Sequence, residues 1–167
     1  VGEDVIAAAA ALCESHRAML ILDSPSDWED VSDVTASSGV EAISSAVGPY
    51  RKNASLFFPR LRRPNPLRDN QMEDFAACGA IAGVMARNDA QRGVWKAPAG
   101  LDAALVGVPA LTVSLTDAEN GLLNPLGVNC LRARPAAGRV VWGARTLAGD
   151  DRLASEWKYI PVRRTAL

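Results

Sequence analysis

Apolar residues recur along the first half of the chain with two alternating periods. Glu3 and Asp4 stand where a helix start favours negative charge, and Val5, Ala8, Ala9 and Leu12 follow as one apolar face. Residues 18–22 form a short continuous apolar run closed by Asp23, Ser24 and Pro25, the pattern of a strand buried on both faces. Val40, Ile43 and Val47 return to helical spacing, and Gly48 with Pro49 ends that helix. Residues 54–58 predict the next strand, stopped by Pro59. Helix–strand–helix–strand with short connections predicts a parallel α/β sheet.

The pattern then changes. Residues 60–70, with three closely spaced arginines and two prolines, predict a loop, and residues 75–85 an apolar helix. Gly79 and Gly83, four apart, predict a tight packing face on it. Residues 111–115 read as a strand. Thr116 and Glu119 form a capping box opening a short helix that Asn124 and Pro125 close. Residues 128–134 and 139–143 flank Pro135, Ala136, Ala137 and Gly138, which predicts an antiparallel hairpin. The expected fold class is α/β: a mixed, mainly parallel sheet flanked by helices, with an antiparallel hairpin in the second half, forming a single domain over residues 1–167.

Composition supports a packed core, since 49% of the 167 residues are apolar and 22% charged. The formal net charge of −1 conceals a division: residues 1–50 hold nine acids and one base (Arg17), for −8, and residues 51–167 hold seventeen bases and ten acids, for +7. The longest apolar run, residues 75–86, is too short for a membrane span of roughly twenty residues. The opening Val-Gly-Glu-Asp is neither a signal peptide nor an initiating methionine. Cys13, Cys78 and Cys130 are odd in number and lack close pairs, so they read as thiols of a reducing compartment rather than a disulfide framework. These features together predict a soluble intracellular chain.

Catalytic signals are sparse. The one histidine, His16, falls near the end of the first helix, where a surface role is expected. Nucleophile elbow, zinc helix and phosphate loop motifs are missing. The neighbouring carboxylates Glu29 and Asp30, Glu73 and Asp74, and Asp150 and Asp151 read as solvated turns or helix starts, and Asn53-Ala54-Ser55 matches a glycosylation sequon. The basic stretch Arg51, Lys52, Arg60, Arg62, Arg63 and Arg68 contains no acid. Nucleic-acid binding is one reading of it. A surface for an acidic protein partner fits better, with the acidic first fifty residues making a second copy of the chain a candidate. An enzyme or nucleotide-binding domain using Asp23 and the 87–100 loop is the alternative from another class.

From Gly79 onward the sequence resembles the tail sheath proteins of contractile phages, tailocins and extracellular contractile injection systems. Three blocks carry the resemblance. Gly79 and Gly83 lead through Arg87 and Asp89 to Arg92, Gly93, Trp95, Pro98 and Gly100. Asn124, Pro125, Gly127 and Asn129 follow, with Arg132 just after. Trp142, Gly143, Arg145 and Thr146 then lead to Trp157, Tyr159, Arg163 and Arg164. Trp95, Trp142 and Trp157 read as aromatic anchors for irregular backbone. Arg87, Asp89, Arg92, Lys96 and Arg145 read as a charge network pinning the loops.

The resemblance implies a structural protomer with no chemistry, cofactor or metal of its own. Its implied partners are other sheath copies in a helical array, an inner tail tube, and baseplate and terminator proteins, without nucleic acid or membrane insertion. It implies origin in the cytoplasm of a producing bacterium, then a virion tail or released particle. Candidate interface residues are Arg60, Arg62, Arg63, Arg68, Arg163 and Arg164. Family members run well past Arg164, so the chain is expected to be the core of a longer subunit, monomeric or weakly associating by itself.

Overall fold

The computed structural model describes residues 2–167. Its helices are α1 (Glu3–Ser15), α2 (Val31–Thr35), α3 (Val40–Val47), α4 (Cys78–Arg92), α5 (Asp117–Leu123) and α6 (Ile160–Thr165). Its strands are β1 (Leu20–Asp23), β2 (Ala54–Phe58), β3 (Leu61–Asn65), β4 (Gln71–Phe75), β5 (Ala110–Leu111), β6 (Val128–Arg134) and β7 (Gly138–Val141). The main sheet has the order β1-β2-β6-β7: β1, β2 and β6 run parallel and β7 turns back against β6. A second, antiparallel sheet has the order β4-β3-β5.

The reason for this arrangement lies in β2. All five of its residues are buried, as a strand covered on both faces requires. Leu56 and Phe58 join one apolar cluster with α1, α2, α3 and α5, through Ala10, Val34, Ile43 and Leu123. Phe57 points the other way, into a cluster with Ile81, Val84 and Met85 of α4 and Leu131, Val141 and Ile160. Helices on both faces of a mainly parallel sheet are thus the consequence of an apolar central strand.

The parallel strands, α3, the β6–β7 hairpin and the capping box all match expectation; in the box, Thr116 and Glu119 each accept the other's backbone N–H. Five expectations are corrected. The apolar face assigned to α1 is turned outward: Val5 and Leu12 are each 59% exposed, while Ala10 is fully buried and Ile6 packs against the core. β1 is half-buried along its whole length, because it lies at an edge of the sheet. Residues 60–70 are mostly not loop but β3 and the turn into β4, so Phe75 is strand and the helix starts at Cys78. The tight contact expected at Gly79 and Gly83 is not made, since a methyl group at either would meet nothing within 4 Å. The strand expected at 111–115 reduces to Ala110–Leu111.

Phe57 is 1% exposed, at the centre of the cluster between the sheet and α4. Phe57→Ala should lower unfolding stability by about 3–5 kcal/mol in urea denaturation, as for other large core truncations. A loss under about 1 kcal/mol would contradict this packing.

Candidate functional site

The motif residues gather where β6, β7 and the C-terminal segment meet. Asn129 is fully buried in β6, and all its polar capacity toward neighbouring backbone is used. Its Nδ2 donates to the carbonyls of Leu56 (3.1 Å) and Arg145 (2.8 Å), and its Oδ1 accepts the Arg145 N–H at 2.6 Å. One amide therefore ties β2 to β6 and to the chain leaving β7. Gly143 permits this closeness, because a Cβ there would stand 2.7 Å from Asn129 Oδ1. Asn124 and Pro125 form a short 3-10 turn before Gly127, whose φ of +82° swings the chain into β6.

Beyond Gly143 the clamp continues. Arg145 Nη1 donates to the Gly149 carbonyl and to Asp151, both at 2.8 Å, and Lys158 pairs with the same Asp151. Thr146 Oγ1 donates to the Trp157 carbonyl at 2.7 Å, and the Ile160 N–H donates to the Ala144 carbonyl at 2.9 Å. These bonds deliver α6 to the body of the fold. There Arg163 is buried, with Nε and Nη2 on Asn53 Oδ1 at 3.1 and 2.9 Å, Glu14 at 3.4 Å and the Trp157 ring beneath at 5.1 Å. Arg164 forks both nitrogens onto the Asp89 carboxylate of α4. Both of these candidate interface arginines are engaged inside the subunit.

The charge network expected across residues 87–100 is a set of local pins, two of which, Arg92 and Lys96, share Asp102. Arg87 donates to the Ala104 carbonyl at 2.6 Å. Asn88 donates to the Lys96 carbonyl at 2.9 Å, and Lys96 in turn to the Ala97 carbonyl at 2.9 Å. Arg92 lies 3.7 Å from Asp102. Pro98 is buried, and Gly93 ends α4 with φ of +93° against the Trp95 indole. Trp95 itself is 72% exposed, so it anchors nothing inside the subunit. Trp142 does serve as an anchor, with the Arg134 guanidinium stacked 4.2 Å from its ring.

In the basic hairpin, β4 supplies the acids that the linear stretch lacks. Arg62 forms two bonds with Asp74, at 2.7 and 3.0 Å, and Arg68 lies 3.3 Å from Glu73. Arg63 covers the Phe75 ring at 5.8 Å, and Arg60 turns inward to donate to the Ser24 carbonyl at 2.9 Å. Asp23 accepts the N–H groups of Ala77 and Cys78 at 2.6 and 2.8 Å, a structural use of the residue that the enzyme reading needed. Burial pushes the Cys130 thiol up to about 12, which keeps it protonated and unreactive. Among the described residues no three His, Cys, Asp or Glu side chains gather as a metal cradle. Asn53 was legible only as a sequon, yet its Nδ2 donates to the Ala18 carbonyl at 2.9 Å while its Oδ1 holds Arg163. An asparagine directly ahead of a mainly apolar strand was the available signal.

Two predictions follow from these contacts. Asn129→Ala strands a buried N–H and two carbonyls, so it should cost roughly 2–4 kcal/mol in urea denaturation. An effect within 0.5 kcal/mol, about that of an ordinary surface change, would refute the clamp. The second concerns acid. Arg62 holds the Asp74 carboxyl below the usual range, Arg132 and then Arg134 do so for Asp117, Arg152 for Asp150, and Lys158 and then Arg145 for Asp151. Unfolded aspartate titrates near pH 3.9. These pairs therefore contribute fully above about pH 5, and the contribution is lost as pH falls through the lower folded values. The urea midpoint should be flat from pH 7 to about 5 and fall steeply below about 4; a decline beginning near pH 6.5 would contradict this assignment.

Comparison with known proteins gives this clamped architecture a family. The family profile described as the phage tail sheath protein central domain matches residues 63–147, half of the chain. A search of the curated proteins gives no match. Among solved structures, the baseplate of the anti-feeding prophage (AFP) contains a chain 32% identical, with TM-score 0.74, covering 98% of this chain and 38% of that one. The sheath complex of PVC, an extracellular contractile injection system, in its contracted state gives 30% identity and TM-score 0.75 over 99% of this chain and 42% of that one. The contracted AFP helical sheath gives 32% and 0.71 over 97% and 39%. The chain thus spans about two fifths of the length of these structures. The family profile spans half of the chain and these structures cover nearly all of it, and the chain belongs to the phage tail sheath protein family.

Proposed function

We propose that the chain is the core domain, residues 1–167, of a contractile sheath subunit. Copies stack in a helical array around an inner tube, between a baseplate and a terminator, and contract to drive that tube through a target envelope. The observation carrying this reading is the match over almost the whole chain to a contracted PVC sheath, at TM-score 0.75. A heterologous contact that does not close on itself generates such an open helix. Contraction needs no nucleotide when the extended lattice is kinetically trapped above the contracted one.

The reading is non-enzymatic, because Asp23 is held by the first turn of α4, and the motif arginines act on backbone carbonyls and carboxylates. No helix among the described residues is long and apolar enough to cross a membrane. The subunit would be made in the cytoplasm of the producing bacterium and end in a virion tail or a released particle. Of the candidate interface arginines, those available to a neighbour are Arg62, Arg63 and Arg68, which are exposed on the β3–β4 hairpin.

Electron microscopy of the full-length subunit should show hollow helical tubes; uniformly dispersed particles would overturn the reading. For the hairpin, Arg63→Glu with Arg68→Glu leaves the Arg62–Asp74 pair intact and should reduce tube yield at least about tenfold. The circular dichroism and melting temperature of the unassembled subunit should stay near wild type, as for surface changes. Wild-type tube yield would remove the hairpin from the interface.

A further inference from the structure

The two edges of the main sheet are finished differently. Along the outer side of β7, residues 100–105 supply backbone bonds: the Gly100 N–H to the Val141 carbonyl (2.9 Å), the Val141 N–H to the Ala103 carbonyl (3.0 Å) and the Leu105 N–H to the Arg139 carbonyl (2.8 Å). Along the outer side of β1 there is no such cover among the described residues, since β1 pairs only with β2. Yet β1 reads Leu-Ile-Leu-Asp, a composition suited to the interior. An exposed, apolar, unprotected edge is a hazard that native sheets avoid.

An open groove flanks that edge on each face of the sheet. One, about 620 Å³, runs between Val5, Ile6 and Ala9 of α1, Leu22 of β1 and Ala46 of α3. The other, about 400 Å³, runs between Met19, Ile21 and the Ala82, Met85 and Ala86 side of α4. A strand laid against β1 alternates its side chains between the two faces, and so fills both grooves at once. It also accounts for the outward-turned Val5 and for the bare small-residue side of α4, which otherwise have no partner.

Topology fixes where such a strand comes from. α1 and α3 share one face of the sheet and one apolar cluster. The β1–α3–β2 unit advances from β1 toward β2, and parallel crossovers are right-handed in about 98% of cases. A strand entering β1 through α1 on that same face must advance in the same sense, which puts it on the free side of β1. The start of α1 is in the right place: Glu3 lines the groove together with Asp23, Ser24 and Pro25, at the carboxyl end of β1. That is where a strand parallel to β1 would finish before turning into α1.

We infer that the segment directly ahead of α1 in the longer subunit forms an apolar strand parallel to β1, seated between these two grooves. The inference stands independently of the sheath reading, and it removes the β1 edge from the surfaces open to a neighbouring copy. Hydrogen exchange on the full-length subunit, diluted so that it stays unassembled, tests it. The amides of β1 should exchange at least about a hundredfold more slowly than in a variant whose residues ahead of α1 are replaced by a Gly/Ser sequence of equal length. Protection of β6 should be common to both, showing that the variant still folds. Equal β1 exchange in the two proteins would overturn the inference. So would β1 amides that gain protection only on assembly, because the strand would then come from another copy. Should the replaced variant fail to fold, Ala46→Glu with Ala86→Glu, one charge in each groove, should release β1 in its place; unchanged β1 protection there would also overturn it.

Discussion

The buried amide of Asn129 is the contact on which the rest of the arrangement depends. It lies in β6 at the seam with β2, fully buried, so its donors and acceptor must all find partners at close range. They find them in the Leu56 carbonyl and in both backbone groups of Arg145. That fixes the chain leaving β7 against the sheet, and with it Thr146, the Trp157 carbonyl and the start of α6. From α6, Arg163 reaches Asn53 and Glu14 while Arg164 reaches Asp89, so the C-terminal helix is tied to both helical layers. The family motif is therefore a set of positions that make irregular backbone rigid.

Charge follows the same logic. The acidic first fifty residues and the basic remainder meet partly inside the subunit, where Lys52 and Arg163 share Glu14, and Arg152 lies 3.9 Å from Glu41. The exposed members of such pairs add little stability each. Their effect is positional: planar guanidinium groups engage a carboxylate or carbonyl from defined directions and hold a loop in one place. On the proposed reading, the candidate interface arginines left for a neighbour are those of the β3–β4 hairpin, partly neutralised by Asp74 and Glu73.

The sequence revealed most where one physical signal dominated. β2 was legible because a mainly apolar run between an asparagine and a proline has few alternatives, and α5 because its capping box is a local bond pattern. The β3–β4 hairpin was hidden because only Leu61 of β3 is buried, and the prolines and arginines of residues 60–70 read as a loop. Pro64 is tolerated because β5 pairs only with Leu61 and Arg62, leaving no ladder for its missing N–H to break. The buried side of α1 was misread because its alanines offer little contrast between faces. At the clamp, Asn129 and Arg145 were recognisable as motif residues. Asn53 was not, since its partners Ala18 and Arg163 lie on distant segments; nor were Asp102 and Asp151, whose partners lie within ten residues but across irregular backbone that has no fixed spacing.

A subunit pinned this way should act as one body. Under the proposed sheath role, the most direct test is cryo-electron microscopy of the tubes of the full-length protein before and after contraction. The account predicts that residues 2–167 superpose between the two states within about 1 Å over Cα atoms, as pre-organised interfaces do, with the change confined to contacts between subunits. Release of α6 from Asp89 and Asn53, or refolding of residues 93–107 between the states, would contradict it.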